Sequence, residues 1–141
     1  MAVKLSLKQV VSQASLEVGI TLRPVSSVTG SLDQDIVQMS ALLAAVADEV
    51  LLDEPYRSTL GDGVWASSAT GAPRPTGPIA DTDLILFDGR LAIDGLKWRF
   101  LAAKGLEFGE QMRDFTNRLN KLARRVNGRV IDLDVDAGRT I

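Results

Sequence analysis

Apolar positions recur at intervals of three and four along four stretches of this chain, and residues that start or stop helices bound each stretch. In the first, Leu7, Val10, Val11, Ala14 and Val18 fall on one stripe. Ser6 and Gln9 form a capping box ahead of it and Gly19 offers a left-handed stop behind it, so the spacing predicts a helix over Leu7–Val18. In the second, Leu32, Ile36, Met39, Leu43, Val46, Ala47 and Val50 share a face. Ser31 with Gln34 repeats the start signal, Asp33 and Asp35 suit the positive end of the helix dipole, and Pro55 ends the element. Ala41, Ala44 and Ala45 on its flank admit a close neighbouring helix, although the helix propensity of alanine accounts for them equally well.

Residues 53–83 lose the helical period. They hold Gly61, Gly63, Gly71 and Gly77 with Pro73, Pro75 and Pro78, and are rich in Ser and Thr. A structureless stretch of this length is uncommon inside a compact domain and is often functional or mobile. It points to a projecting binding loop, with an ordinary flexible insertion as the alternative, and a short strand near residues 64–66. Residues 84–87 are apolar and read either as a short strand or as the packed lead-in to the next helix.

The third helix is expected over residues 90–104, with Asp88 as cap and Gly105 as stop. Leu91, Ile93, Leu96, Trp98, Phe100, Ala102 and Ala103 cover more than half its girth, leaving Arg90, Asp94, Lys97 and Lys104 as the polar strip. A helix with so wide an apolar arc is buried on two sides, and in so short a chain the second side is expected to be a neighbouring subunit. Arg99 lies on the apolar arc, where it must snorkel or meet an acid. The fourth helix, residues 107–126, has a narrow stripe of Phe108, Met112, Phe115, Leu119, Leu122 and Val126. Arg118, Lys121, Arg124 and Arg125 suit its negative end, and Asn127-Gly128 stops it. Beyond it Val130, Ile131, Leu133 and Val135 interleave with Asp132, Asp134 and Asp136, a period-two pattern.

These elements predict a mainly α protein: a small four-helix bundle in residues 1–128, with a long central loop at 53–83 and an extended C-terminal arm at 129–141. At 141 residues, with 45% apolar and 24% charged positions, the chain has the composition of one globular domain. No apolar run approaches the roughly 18 residues a bilayer span requires, and no secretory signal pattern opens the sequence.

Cysteine and histidine are both absent. That excludes disulfides, thiol chemistry, imidazole acid–base work and the usual zinc sites. Asp132, Asp134, Asp136 and Gly138 resemble a calcium loop, but the glycine comes one residue late and no acidic residue closes the loop. Gly61 and Gly63 lack the Lys-Ser/Thr of a phosphate loop, and Asp81, Asp83 and Asp88 have no constellation to support a hydrolase. The expectation is a protein with no catalytic residues, no metal and no cofactor. Alternation instead puts three carboxylates on one face of the arm and Ile131, Leu133 and Val135 on the other, suited to a partner's sheet edge or groove, or to an edge strand of the same domain.

Charge changes the picture once more. Residues 1–88 carry 5 Lys/Arg against 11 Asp/Glu, and residues 89–141 carry 11 against 7. A chain so polarised can attract copies of itself head to tail or lay its basic half on an acidic partner, although charge alone is met as well by two ordinary solvated faces. Arg118, Lys121, Arg124, Arg125 and Arg129 also suit phosphates, which keeps a nucleic-acid-binding helical module as an alternative.

Three segments carry a resemblance: KLSLKQVVSQASLEVGI, SLDQDIVQMSALLAAVADEV and RLAIDGLKWRFLAAKGLEFGEQMRDFTNRL, together about half of the chain. They resemble the head-to-tail adaptor, or connector, proteins of tailed and especially short-tailed bacteriophages, most strongly from Leu96 through Trp98, Arg99 and Phe100 to Glu107 and Phe108. Residues 53–83 depart from that pattern, being shorter and richer in Gly and Pro. The resemblance implies a structural virion protein of the neck, assembled in the host cytoplasm, that forms a homo-oligomeric ring, usually of twelve copies. Such a ring sits beneath the portal protein and contacts a tail or nozzle protein, and DNA passes through its channel without specific binding; no membrane is involved. It further implies a portal-binding arm of Arg129, Val130, Ile131, Asp132, Leu133, Asp134, Val135, Asp136 and Ile141. Trp98, Arg99 and Phe100 would lie at a subunit interface, and Arg57, Trp65 and Arg74 on a tail-contacting loop.

Overall fold

The computed structural model describes residues 4–20, 23, 25–51 and 63–122. Within them four helices pack together: α1 (Leu7–Val18), α2 (Gln34–Leu51), α3 (Gly89–Ala103) and α4, described over residues 109–122. The mainly helical bundle expected from the sequence is the architecture found. Among the described residues no helix is long and apolar enough to cross a membrane.

Local chemistry sets the ends of α1. The Ser6 hydroxyl accepts the Gln9 N–H at 3.2 Å and the Gln9 side chain accepts the Ser6 N–H at 2.8 Å, so both arms of the capping box are closed. At the other end Gly19 takes φ +84°, and its N–H and that of Ile20 return to the Leu16 and Ser15 carbonyls. The helix buries Leu7, Val10, Val11 and Ala14.

The second helix begins later than its start signal suggests. Asp33 rather than Ser31 is the cap: its Oδ1 accepts the Asp35 N–H at 2.9 Å and its carbonyl accepts the Val37 N–H at 3.0 Å. Leu32 therefore precedes the helix and stands 96% exposed, whereas the sequence placed it on the buried face. The remaining predicted face, Ile36, Met39, Leu43, Val46, Ala47 and Val50, is buried.

The described part of the central loop, residues 63–83, is packed into the fold near its two ends, while residues 69–73 and 75–76 are exposed. Residues 66–67 (β1, Ala66–Ser67) pair antiparallel with β2 (Leu84–Ile85), Ala66 opposite Ile85. The lead-in to α1 lines the other edge of β2, with the Ile85 N–H on the Leu5 carbonyl at 2.9 Å and the Leu7 N–H on the Asp83 carbonyl at 2.8 Å. Ala66, Ser67, Trp65 and Asp83 are all buried. The reason is hydrogen bonding: β2 needs partners for its backbone groups, and residues 65–67 on one side and the lead-in to α1 on the other supply them.

Helix α3 is the centre of the bundle. Asp88 caps it through the Leu91 N–H at 3.0 Å, and Gly105 at φ +72° turns the chain toward α4. Leu91, Ala92, Ile93, Gly95, Leu96 and Phe100 are buried. Helices α1 and α2 pack against it, and Phe115 of α4, fully buried, reaches it at Gly95. The wide apolar arc that suggested a neighbouring subunit is thus covered chiefly by the chain's own helices.

Candidate functional site

A seam of charged side chains ties α1, α3 and α4 along one side of the bundle. Glu17, in the last turn of α1, is gripped by Arg90 in the first turn of α3, Nη1 at 2.7 Å and Nη2 at 2.6 Å. Lys97, two turns further along α3, adds its Nζ at 2.8 Å, and Gln13 on α1 donates at 2.7 Å. Hydrogen bonding from Arg90 is the main reason the Glu17 carboxyl is lowered to about 2; partial burial opposes this, and Lys97 and Gln13 reinforce it. The same bond to Glu17 pushes the Arg90 guanidinium above its ordinary pKa.

Asp94 lies one turn beyond Arg90 and is only 3% exposed. Arg90 meets it at 3.0 Å from α3 itself, and Arg118 of α4 meets it through Nε, also at 3.0 Å. The relay Glu17–Arg90–Asp94–Arg118 therefore crosses three helices. Beside it opens a cleft of about 280 Å³ bounded by Arg90, Asp94, Asp114, Asn117, Arg118 and Lys121. Among the described residues Lys121 has no ion pair, and Arg118 commits only its Nε. This arrangement suits anionic groups of a partner. No group of three or more residues able to hold a metal ion occurs among the described residues.

The turn from α3 to α4 forms a second surface. Trp98 stacks on Phe108, with ring centroids 5.9 Å apart and planes at 29°, and tilts against Phe115 at 6.5 Å. The Arg99 guanidinium lies 4.5 Å from the Trp98 ring centroid and pairs with Glu49 of α2, so it meets an acid as its place on the apolar arc required. Of the three residues assigned to a subunit interface, Phe100 belongs to the chain's own core at 2% exposure; Trp98 and Arg99 are half-buried at its edge. Exposed Leu106 and Met112 sit on the same turn and the following helix.

The residues assigned to a tail-contacting loop are otherwise engaged. Trp65 is buried against Phe87, centroids 6.4 Å apart, and lies under Gly77. Arg74 pairs with Asp83 at 3.1 Å. Arg57 lies outside the described residues, as do Arg124, Arg125 and the whole arm: Arg129, Val130, Ile131, Asp132, Leu133, Asp134, Val135, Asp136 and Ile141.

The carboxylates weighed for hydrolysis serve the backbone. Burial opposes ionisation of Asp81, but the Thr29 and Val28 N–H groups outweigh it and keep the pKa below the usual value. Asp83 is likewise opposed by burial and held down by Ile79, Arg74 and Ala80. Asp88 caps α3.

The sequence placed Asp94 on a polar strip and pointed to no role for Glu17. The signal was present in the charge asymmetry: Glu17 with Arg90 and Lys97, Glu49 with Arg99, and Asp35 with Lys104 each join the acidic half of the chain to the basic half. Much of the polarity that suggested attraction between copies is therefore closed within one chain. Against known proteins, no family model, curated protein or solved structure matches this chain.

Proposed function

We propose that this chain is a head-to-tail adaptor of a short-tailed bacteriophage: a structural virion protein whose copies form a ring beneath the portal, extend the DNA channel and join it to the tail. The observation that carries the reading is residues 96–108. The stretch on which the resemblance is strongest is also the one that makes the α3–α4 turn, with Trp98 stacked on Phe108 across the left-handed Gly105. Trp98 and Arg99 there are half-buried, and Leu106 and Met112 on the same turn and the following helix are exposed, apolar surface of the kind that subunit contacts cover.

The work of such a protein is mechanical and electrostatic, and no bond is made or broken. A nucleic-acid-binding module is the weaker reading, because Arg118 and Lys121 share their side of α4 with Asp114 and the sequence carries no recognition-helix pattern. The test is the mass and symmetry of the purified protein mixed with its portal, by native mass spectrometry and electron microscopy. A closed ring on the portal is expected. A chain that stays monomeric with saturating portal overturns the reading.

A further inference from the structure

We propose that the cleft between α3 and α4 is the seat for the acidic face of residues 131–136 of a neighbouring copy. The inference rests on the ring reading above and names the contact that would close the ring.

A closed ring needs a heterologous contact, two different patches of one chain that fit each other. The ion pairs between Glu17, Asp35 or Glu49 and the basic residues of α3 and its end do not provide it, since they are satisfied within the chain. What is left of the polarity is a cleft and a segment. The cleft offers Lys121 with no ion pair among the described residues, and Arg118 with only its Nε engaged, so that the Nη side of the fork is left to meet a second carboxylate. Asn117 adds an amide at the rim.

The segment offers Asp132, Asp134 and Asp136 at alternate positions. On an extended chain these carboxylates share one face, spaced about 7 Å apart. Arg118 and Lys121, three residues apart on a helix, share a face as well, so successive carboxylates can meet successive cations. Asp114, one turn before Arg118 on the same helix, repels a carboxylate placed there and so favours one direction for the incoming segment. The same division of faces leaves the arm free to bind the portal. With the aspartates in a neighbour's cleft, the opposite face of Ile131, Leu133 and Val135 is still open to a second partner.

The experiment uses charge exchange between two full-length variants. One carries Lys121→Glu; the other carries Asp132→Lys and Asp134→Lys. Ring formation on the portal is followed by analytical ultracentrifugation and native mass spectrometry. Each variant alone should associate at least about tenfold more weakly than wild type, because like charges then face each other. Mixed in equal amounts, they should recover rings with alternating subunits, since opposite charges again face each other at the exchanged contacts. Circular dichroism of each variant checks that the bundle is folded. Rings from both single variants at wild-type strength overturn the inference and leave the ring reading standing. So does a mixture that fails to recover. So too does protection of residues 131–136 from proteolysis in wild-type protein that is independent of concentration, which would place the segment on its own chain. Absence of any ring from wild type sinks both.

Discussion

Gly95 of α3 lies flat against Phe115 of α4: a Cβ placed on Gly95 would stand 2.8 Å from Phe115 Cε1 and 2.7 Å from Val46 Cγ1. Three helices converge on a position that has no room for a methyl group. Helix propensity favours alanine over glycine by roughly 1 kcal/mol, but forcing a methyl into a packed core costs about 1–3 kcal/mol. Gly95→Ala should therefore destabilise the bundle, and Phe115→Ala should do so by about 3–5 kcal/mol. Urea unfolding of both variants checks this; a more stable Gly95→Ala would mean that α4 does not seat on α3 here.

Acid should loosen the seam between α1 and α3. The Glu17 carboxyl titrates at about 2 in the fold against 4.5 for the free group. A depressed folded value means that the stabilisation is whole above pH 4.5 and drains away as pH falls toward 2. Asp81 and Asp83, both lowered, act in the same direction. The thermal midpoint should fall through that window, and Glu17→Gln should be less stable at neutral pH with a flatter acid limb. An unchanged acid limb in Glu17→Gln would show that Glu17 does not couple folding to pH.

Trp98 and Phe100 should separate in a mutational comparison. Phe100→Ala, in the core, should cost about 3–5 kcal/mol, and Trp98→Ala, half-buried, a smaller amount of about 2–3 kcal/mol. Trp98→Ala should weaken ring assembly beyond its effect on folding. Fluorescence of the buried Trp65 reports unfolding in both variants. Equal folding costs with normal assembly would remove Trp98 from any subunit contact.

Deleting residues 130–141 should leave the bundle folded, because the buried apolar core among the described residues lies between Leu7 and Phe115. Portal attachment should be lost, as the three aliphatic side chains Ile131, Leu133 and Val135 would offer roughly 1.5–3 kcal/mol each on burial, repeated around the ring. Thermal melting and co-sedimentation with portal measure the two effects. A truncated chain that docks normally, or that unfolds, refutes the assignment of the arm.

The ends of α1 and α3 were legible because their signals are local. A capping box at Ser6 and Gln9, the Asp88 cap and left-handed glycines at 19 and 105 act within a few residues of the chain they bend. The buried face of α2 was legible for the same reason, since a 3.6-residue period is a property of one segment. Leu32 was misplaced because Ser31 and Asp33 both carry capping side chains, and only the observed hydrogen bonds choose between them. Which residues cover α3, where residues 66–67 pair, and that Asp94 sits buried between two guanidiniums are relations between segments far apart in sequence. Periodicity fixes which face of a helix is apolar, but not what lies against it. That is decided only when β2 finds backbone partners, Phe115 finds the gap at Gly95, and each buried carboxylate finds its hydrogen-bond donors, and these conditions are met together in the folded chain or not at all.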